Sequence, residues 1–140
     1  MQPPRELDLK IVDTVLEPAV DGRGAPVVRV GMVDGARFYR VRVFLEGNDL
    51  PFVRSVTYHL HESFPEPHRT VERSSANPSC EIVIWTWGIF DIRAEIRDRD
   101  GRVYEVVQPM QYGDELRRVK VKVVQDDAFL AQDAKPKLRR

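Results

Sequence analysis

Phe90-Asp91-Ile92-Arg93-Ala94-Glu95-Ile96-Arg97 alternates without a break between apolar and charged side chains. A strand turns successive side chains to opposite faces. This period of two therefore predicts an antiparallel strand with one face on a core and the other in water. Asp100-Gly101 follows, and apolar residues return at Val103 and Val106-Val107. An Asp-Gly pair accepts the positive φ of a tight turn, so the whole stretch predicts a hairpin.

The same period recurs on either side. Val56, Tyr58 and Leu60 alternate with Thr57, His59 and His61, and Tyr39, Val41 and Val43 alternate with Arg40 and Arg42 before Phe44-Leu45-Glu46-Gly47. Leu7, Leu9 and Ile11 alternate with Asp8 and Lys10, while Val119, Val121 and Val123 alternate with Arg118, Lys120 and Lys122. Val27 to Val33 and Cys80-Glu81-Ile82-Val83-Ile84 complete the set of candidate strands. Turn formers separate them at Asp21-Gly22-Arg23-Gly24, Asp34-Gly35, Gly47-Asn48-Asp49 and Asn77-Pro78. Seven to eight short strands with turns at about ten-residue spacing predict an all-β antiparallel sandwich. No helical period shows before Asp126 to Ala134, where a turn or two of helix is expected. Residues 1–125 are read as the sandwich and 126–140 as a solvated tail or a linker, with an effector domain expected beyond Arg140 in a longer parent chain.

A length of 140 residues suits one two-layer domain. Lysine plus arginine and aspartate plus glutamate balance at 22 each, which removes the global field that would steer the chain to nucleic acid or an anionic membrane. No apolar run reaches membrane-spanning length, and the start, Met1-Gln2-Pro3-Pro4-Arg5-Glu6, lacks the apolar centre of a secretory signal. Cys80 is the only cysteine, so no intramolecular disulfide can form. It is expected to be a half-buried, inert thiol, and the reducing cytoplasm is the expected location.

Two segments exceed what a scaffold needs. Tyr58-His59-Leu60-His61-Glu62-Ser63-Phe64-Pro65-Glu66-Pro67-His68-Arg69 runs from a strand into a loop with a histidine, a hydroxyl and a large aromatic. Pro65 biases Phe64 toward extended backbone. Trp85-Thr86-Trp87-Gly88-Ile89-Phe90 precedes the clean alternation; if Phe90 points inward, Trp87 is free to project into a loop. Phe64 and Trp87 either cap the open end of the sandwich as core, or wall a binding slot beside Ser63 and Gly88.

These two segments also carry a resemblance. His59-Leu60-His61-Glu62-Ser63-Phe64-Pro65, with Pro67 and Arg69 after it, and then Trp87-Gly88-Ile89-Phe90, resemble the YEATS domain, in its divergent prokaryotic branch. YEATS domains are Ig-like sandwiches that bind acetylated or crotonylated lysine on protein tails. The resemblance implies that Phe64 and Trp87 sandwich the acyl-lysine and that Ser63 hydrogen-bonds its amide. It implies that His61 orients that hydroxyl, and that the backbone around Trp87 and Gly88 donates to the acyl carbonyl. It brings no cofactor and no catalytic residue. Thr86 departs from the glycine of eukaryotic members, and the spacing from Phe64 to Trp87 is longer than theirs. The early His-x-Trp element is replaced by Phe38 to Gly47, with Phe38 or Tyr39 in place of a further pocket aromatic. An acylated-lysine protein or peptide is the implied partner, and in this branch it need not be a histone.

Other chemistries start from the same residues. His59 and His61, two apart on one strand, could offer two imidazoles to a metal ion, but carboxylates would have to complete the site. Ser63 near His61 lacks the strained elbow of a hydrolase nucleophile. Arg117-Arg118-Val119-Lys120-Val121-Lys122, with Arg40 and Arg42, would set cations on one strand face. That face would either protect an edge or dock a partner in an adaptor domain without acyl-lysine binding.

Overall fold

The computed structural model describes residues 7–19, 22 and 24–126. Among them run nine strands: β1 (Lys10–Thr14), β2 (Val27–Val33), β3 (Ala36–Glu46), β4 (Val53–His59), β5 (His68–Glu72), β6 (Ile82–Thr86), β7 (Asp91–Asp98), β8 (Val103–Pro109) and β9 (Lys122–Gln125). A 3-10 turn at Leu50–Phe52 precedes β4, and one short helix, α1 (Tyr112–Arg118), precedes β9. The first sheet orders β1, β3, β2 and β9, with β6 also on β3. Tyr39 pairs with both Val30 and Thr86, and Arg42 with both Thr14 and Val83. A residue has one neighbour per side, so β6 lies along the edge of β3 opposite β1 and β2. The second sheet orders β5, β4, β7 and β8, all antiparallel.

Alternation puts Val41, Val43 and Leu45 of β3 against Val56 and Tyr58 of β4 and Ile92, Ala94 and Ile96 of β7, in a core that includes Ile11, Val28, Val30 and Ile84. Each fully buried aliphatic side chain contributes about 1.5–3 kcal/mol, and this repeated burial fixes register, because a one-residue slip would turn every core side chain outward. Two turns depend on backbone that few residues adopt. Asp34 (φ 50°) and Gly35 (φ 83°) close the β2–β3 hairpin between paired Val33 and Ala36. Gly47 (φ 148°) lies so close to Asp8 that an added Cβ would stand 2.2 Å from its carbonyl oxygen. Phe38 and Trp85 project from the far face of the first sheet, where they form a separate cluster with Val33 and Ala36.

The hairpin after Phe90, the alternation in β3, β4 and β7 and the strand at Val27 to Val33 follow the sequence pattern. Five details differ. His68–Glu72, not among the expected strands, is β5; only Val71 in it is aliphatic, so an edge strand with polar side chains leaves no hydrophobic period. Arg117 and Arg118 end α1 and β9 starts at Lys122, so the expected cationic strand face from 117 to 122 does not exist. The seven residues of α1 are too few to show a helical period. β9 pairs parallel with β2, an exception to the antiparallel rule of the rest. Cys80 precedes β6 at φ 53°; it is fully buried, not half-buried, and burial pushes its thiol up to about 11. Apart from Asp126, which donates its N–H to Val30 O at 2.7 Å, the helical turn expected at 126–134 lies outside the described residues. No helix among the described residues is long and apolar enough to cross a membrane.

Candidate functional site

The site lies at the end of the sandwich where two connections meet. The first links β4 to β5. Leu60 N–H donates to Pro67 O at 2.7 Å and Phe64 N–H to His61 O at 3.1 Å, which curls the loop so that Phe64 turns inward. Phe64 is 6% exposed and packs against Phe90, ring centroids 5.6 Å apart. The Arg69 guanidinium stands 5.9 Å from the Phe64 ring centre, and its Nε donates to Glu66 O at 2.8 Å.

His61 and Ser63 form a polar pair on the same loop. Ser63 N–H donates to His61 Nδ1 at 3.1 Å, and Ser63 Oγ lies 2.9 Å from the same nitrogen. Accepting from the backbone makes Nδ1 the unprotonated nitrogen, so the hydroxyl also donates to it. The lone pairs of Oγ then remain to accept from a ligand. The His61 ring also leans toward Phe90, centroids 6.1 Å apart.

The second connection, Trp87 to Phe90, carries the chain from β6 in one sheet to β7 in the other. Trp87 is 61% exposed and Ile89 55%, whereas Trp85, two residues earlier, is 1% exposed. The buried Thr86 hydroxyl lies 3.2 Å from Gly88 O, to which it donates, and 3.3 Å from Gly88 N. Tyr112 OH donates to the same Gly88 O at 2.8 Å, and burial pushes its phenol up to about 12, so it remains a protonated donor at neutral pH. Met110 N–H donates to Phe90 O at 3.1 Å and closes the far side.

Between the two connections opens a cavity of about 240 Å³. His61, Ser63, Phe64, Thr86, Trp87 and Gly88, the six residues singled out from sequence, all line it. Phe38, Trp85, Ile89 and Phe90 complete the lining and were not assigned to the site from sequence, although Phe38 was one of two residues weighed for a further pocket aromatic. The other, Tyr39, packs on Tyr112 with centroids 5.7 Å apart. Phe90 was legible as inward-facing but not as a wall of the cavity. The two alternatives for Phe64 and Trp87 divide between them: Phe64 is both core and wall, while Trp87 stands at the rim.

The two histidines of the metal reading part company. His61 pairs with Ser63, whereas His59 Nδ1 lies 2.7 Å from His68 Nδ1 and His59 Nε2 lies 2.5 Å from Glu95 Oε1. Among the described residues, no group of three or more His, Cys, Asp and Glu side chains is arranged to hold a metal ion.

The prokaryotic YEATS domain family model matches residues 39–110, a span that carries both connections of the cavity. Among solved structures, the yeast AF-9 homolog protein Yaf9 is similar at 19% identity, over 75% of this chain and 67% of that chain, with a TM-score of 0.50. That likeness is one of fold. The Yaf9 YEATS domain recognizing an H3K122suc peptide aligns at 17% identity over 80% of this chain and 82% of that one, TM-score 0.49. The Yaf9 YEATS domain bound to H3K27ac aligns at 15% identity over 78% of each chain, TM-score 0.46. No curated protein matches the sequence.

Proposed function

The chain belongs to the prokaryotic YEATS domain family, and from that premise we propose that it binds acylated lysine on a protein tail and catalyses no reaction. The observation that carries the proposal is the lining of the cavity, where an aromatic floor, an exposed tryptophan rim and one hydroxyl with free lone pairs converge. Acylation removes the lysine charge, so a ligand of this kind gains little from cation–π attraction. It presents a flat amide and an apolar acyl group, which suit contact with the faces of Phe64 and Trp87. The amide N–H loses water on entry, and leaving it unpaired would cost about 1–3 kcal/mol. Ser63 Oγ is the acceptor in this reading, His61 orients it, and backbone N–H of the Trp87–Gly88 turn donates to the acyl carbonyl. Thr86 shapes the turn through Gly88 and lines the cavity beside the ligand. The single cysteine and the absence of any possible intramolecular disulfide suit work in the cytoplasm. A fused or associated effector domain remains part of the proposal as the user of the binding event.

The test is titration with acetyl-lysine, crotonyl-lysine and unmodified lysine peptides, followed by amide shifts. The proposal expects binding that depends on the acyl group and is lost in Trp87→Ala and weakened in Ser63→Ala. A folded protein that treats all three peptides alike would sink it and leave the adaptor reading in its place.

A further inference from the structure

Trp87 is held by little of its own. Its ring is mostly exposed, so its position follows from the backbone of the turn it rides on. On one carbonyl of that turn, Gly88 O, two hydroxyls converge: Thr86 from the end of β6 at 3.2 Å, and Tyr112 from α1 at 2.8 Å. The shorter bond comes from a residue 24 positions away.

Tyr112 is itself anchored from three sides. Its backbone N–H and that of Gln111 donate to the Asp13 carboxylate at 2.8–2.9 Å, and Asp13 is 4% exposed on β1. One turn further on, Glu115 accepts from Thr14 Oγ1 at 2.7 Å and Val15 N–H at 2.9 Å, which holds α1 along β1. The Tyr112 ring is 3% exposed and packs against Tyr39 of β3. A hydroxyl carried on a side chain fixed at both ends delivers a hydrogen bond with little further loss of freedom. A Cβ added at Gly113, the next residue, would stand 3.4 Å from the side chain of Ile89, the other exposed apolar residue of the turn.

We infer that Tyr112 is a positioning residue for the cavity: by holding the Gly88 carbonyl it orients the turn that presents Trp87 to a ligand. The part of this that concerns ligand rests on the acyl-lysine reading; the part that concerns the turn does not. α1 is thereby a strut between the β1 edge and the binding rim. The Thr86 hydroxyl supplies the second donor to the same carbonyl.

Tyr112→Phe keeps the ring and removes the hydroxyl, so the packing on Tyr39 survives. ¹⁵N relaxation of the Trp87 to Phe90 amides reads the turn directly, in the free protein. In the wild type these amides should show order parameters near those of rigid backbone, about 0.85, and in Tyr112→Phe they should fall toward the flexible range below about 0.6. Acyl-lysine peptide affinity should fall roughly five- to tenfold, the size expected of one hydrogen bond. Asp98→Ala, which loosens the opposite end of the sandwich, serves as the control and should leave both readouts unchanged despite lower stability. Unchanged order at Trp87 to Phe90 in Tyr112→Phe would overturn the inference, as would an equal loss of order in Asp98→Ala. A wild type that binds no acyl peptide would remove the reader proposal alone, and the relaxation data would still decide the role of Tyr112.

Discussion

The connections at the two ends of β7 are built on opposite plans. The one after it, from Asp98 to Val103, is closed mostly by its own residues: Gly101 N–H donates to Asp98 O at 3.0 Å, and the Asp98 carboxylate accepts from Asp100 N–H and Arg102 N–H, both at 2.9 Å, and from Tyr104 OH at 3.2 Å. The one before it, from Trp87 to Phe90, crosses from one sheet to the other and is closed from a distance, by Tyr112 and Met110. In the turn after β7 only Arg99 N–H reaches outside, to Phe52 O at 2.9 Å, so that turn needs little from the rest of the molecule. A turn held from outside can leave its own side chains unemployed, and those are the side chains available to a ligand.

Four substitutions sharpen or break this contrast. The largest effect is expected at Phe64, which serves both roles. Phe64→Ala removes a buried ring and should cost about 3–5 kcal/mol of stability by denaturant melting, with ligand binding lost as well. Trp87→Ala should separate the two roles. Acyl-peptide binding measured by calorimetry should disappear, while stability stays within about 0.5 kcal/mol of wild type, because the ring is mostly in water. A large drop in stability would mean that Trp87 is core after all. On the other side of β7, Gly101→Ala places a side chain at φ 88° with open space around the new Cβ, so the backbone preference alone should set its cost, about 1–2 kcal/mol. Asp98→Ala should lower the thermal midpoint by a few degrees, seen by calorimetric melting. Neither of these two should change peptide affinity, and a change would show that the two ends of β7 are coupled.

The difference between the plans also decides what can be read in advance. The β7–β8 hairpin was legible because each of its constraints lies within a few residues: alternation, Asp-Gly, alternation. β3 and β4 were legible for the same reason. β5 was not, since its inner face carries only Arg69 and Val71, half-buried, so its alternation shows no hydrophobic period; it exists because β4 offers it a ladder from Ser55 to His59. α1 was missed for a related reason. Asp13 and Glu115, about a hundred residues apart, hold it on β1, and no local pattern announces such a clamp. At the site, all six residues named from the two motifs line the cavity, yet Trp85, Ile89 and Phe90 were not recognised as its neighbours.

The amino-acid order by itself determined the two-sheet β architecture, because burying one face of an alternating strand leaves few other solutions, and it marked the loop residues whose chemistry suits an amide ligand. Tertiary structure alone decided that these residues meet. Leu60 to Pro67 closes one loop, Tyr112 holds the other, and the two stand together only because β4 and β7 are paired and β6 crosses to the opposite sheet. It also gave Trp85 and Trp87 opposite fates: Trp85 lies in β6 and is buried with Phe38, Val33 and Ala36, while Trp87 falls past the end of the strand, in the connection to β7, and stands in water.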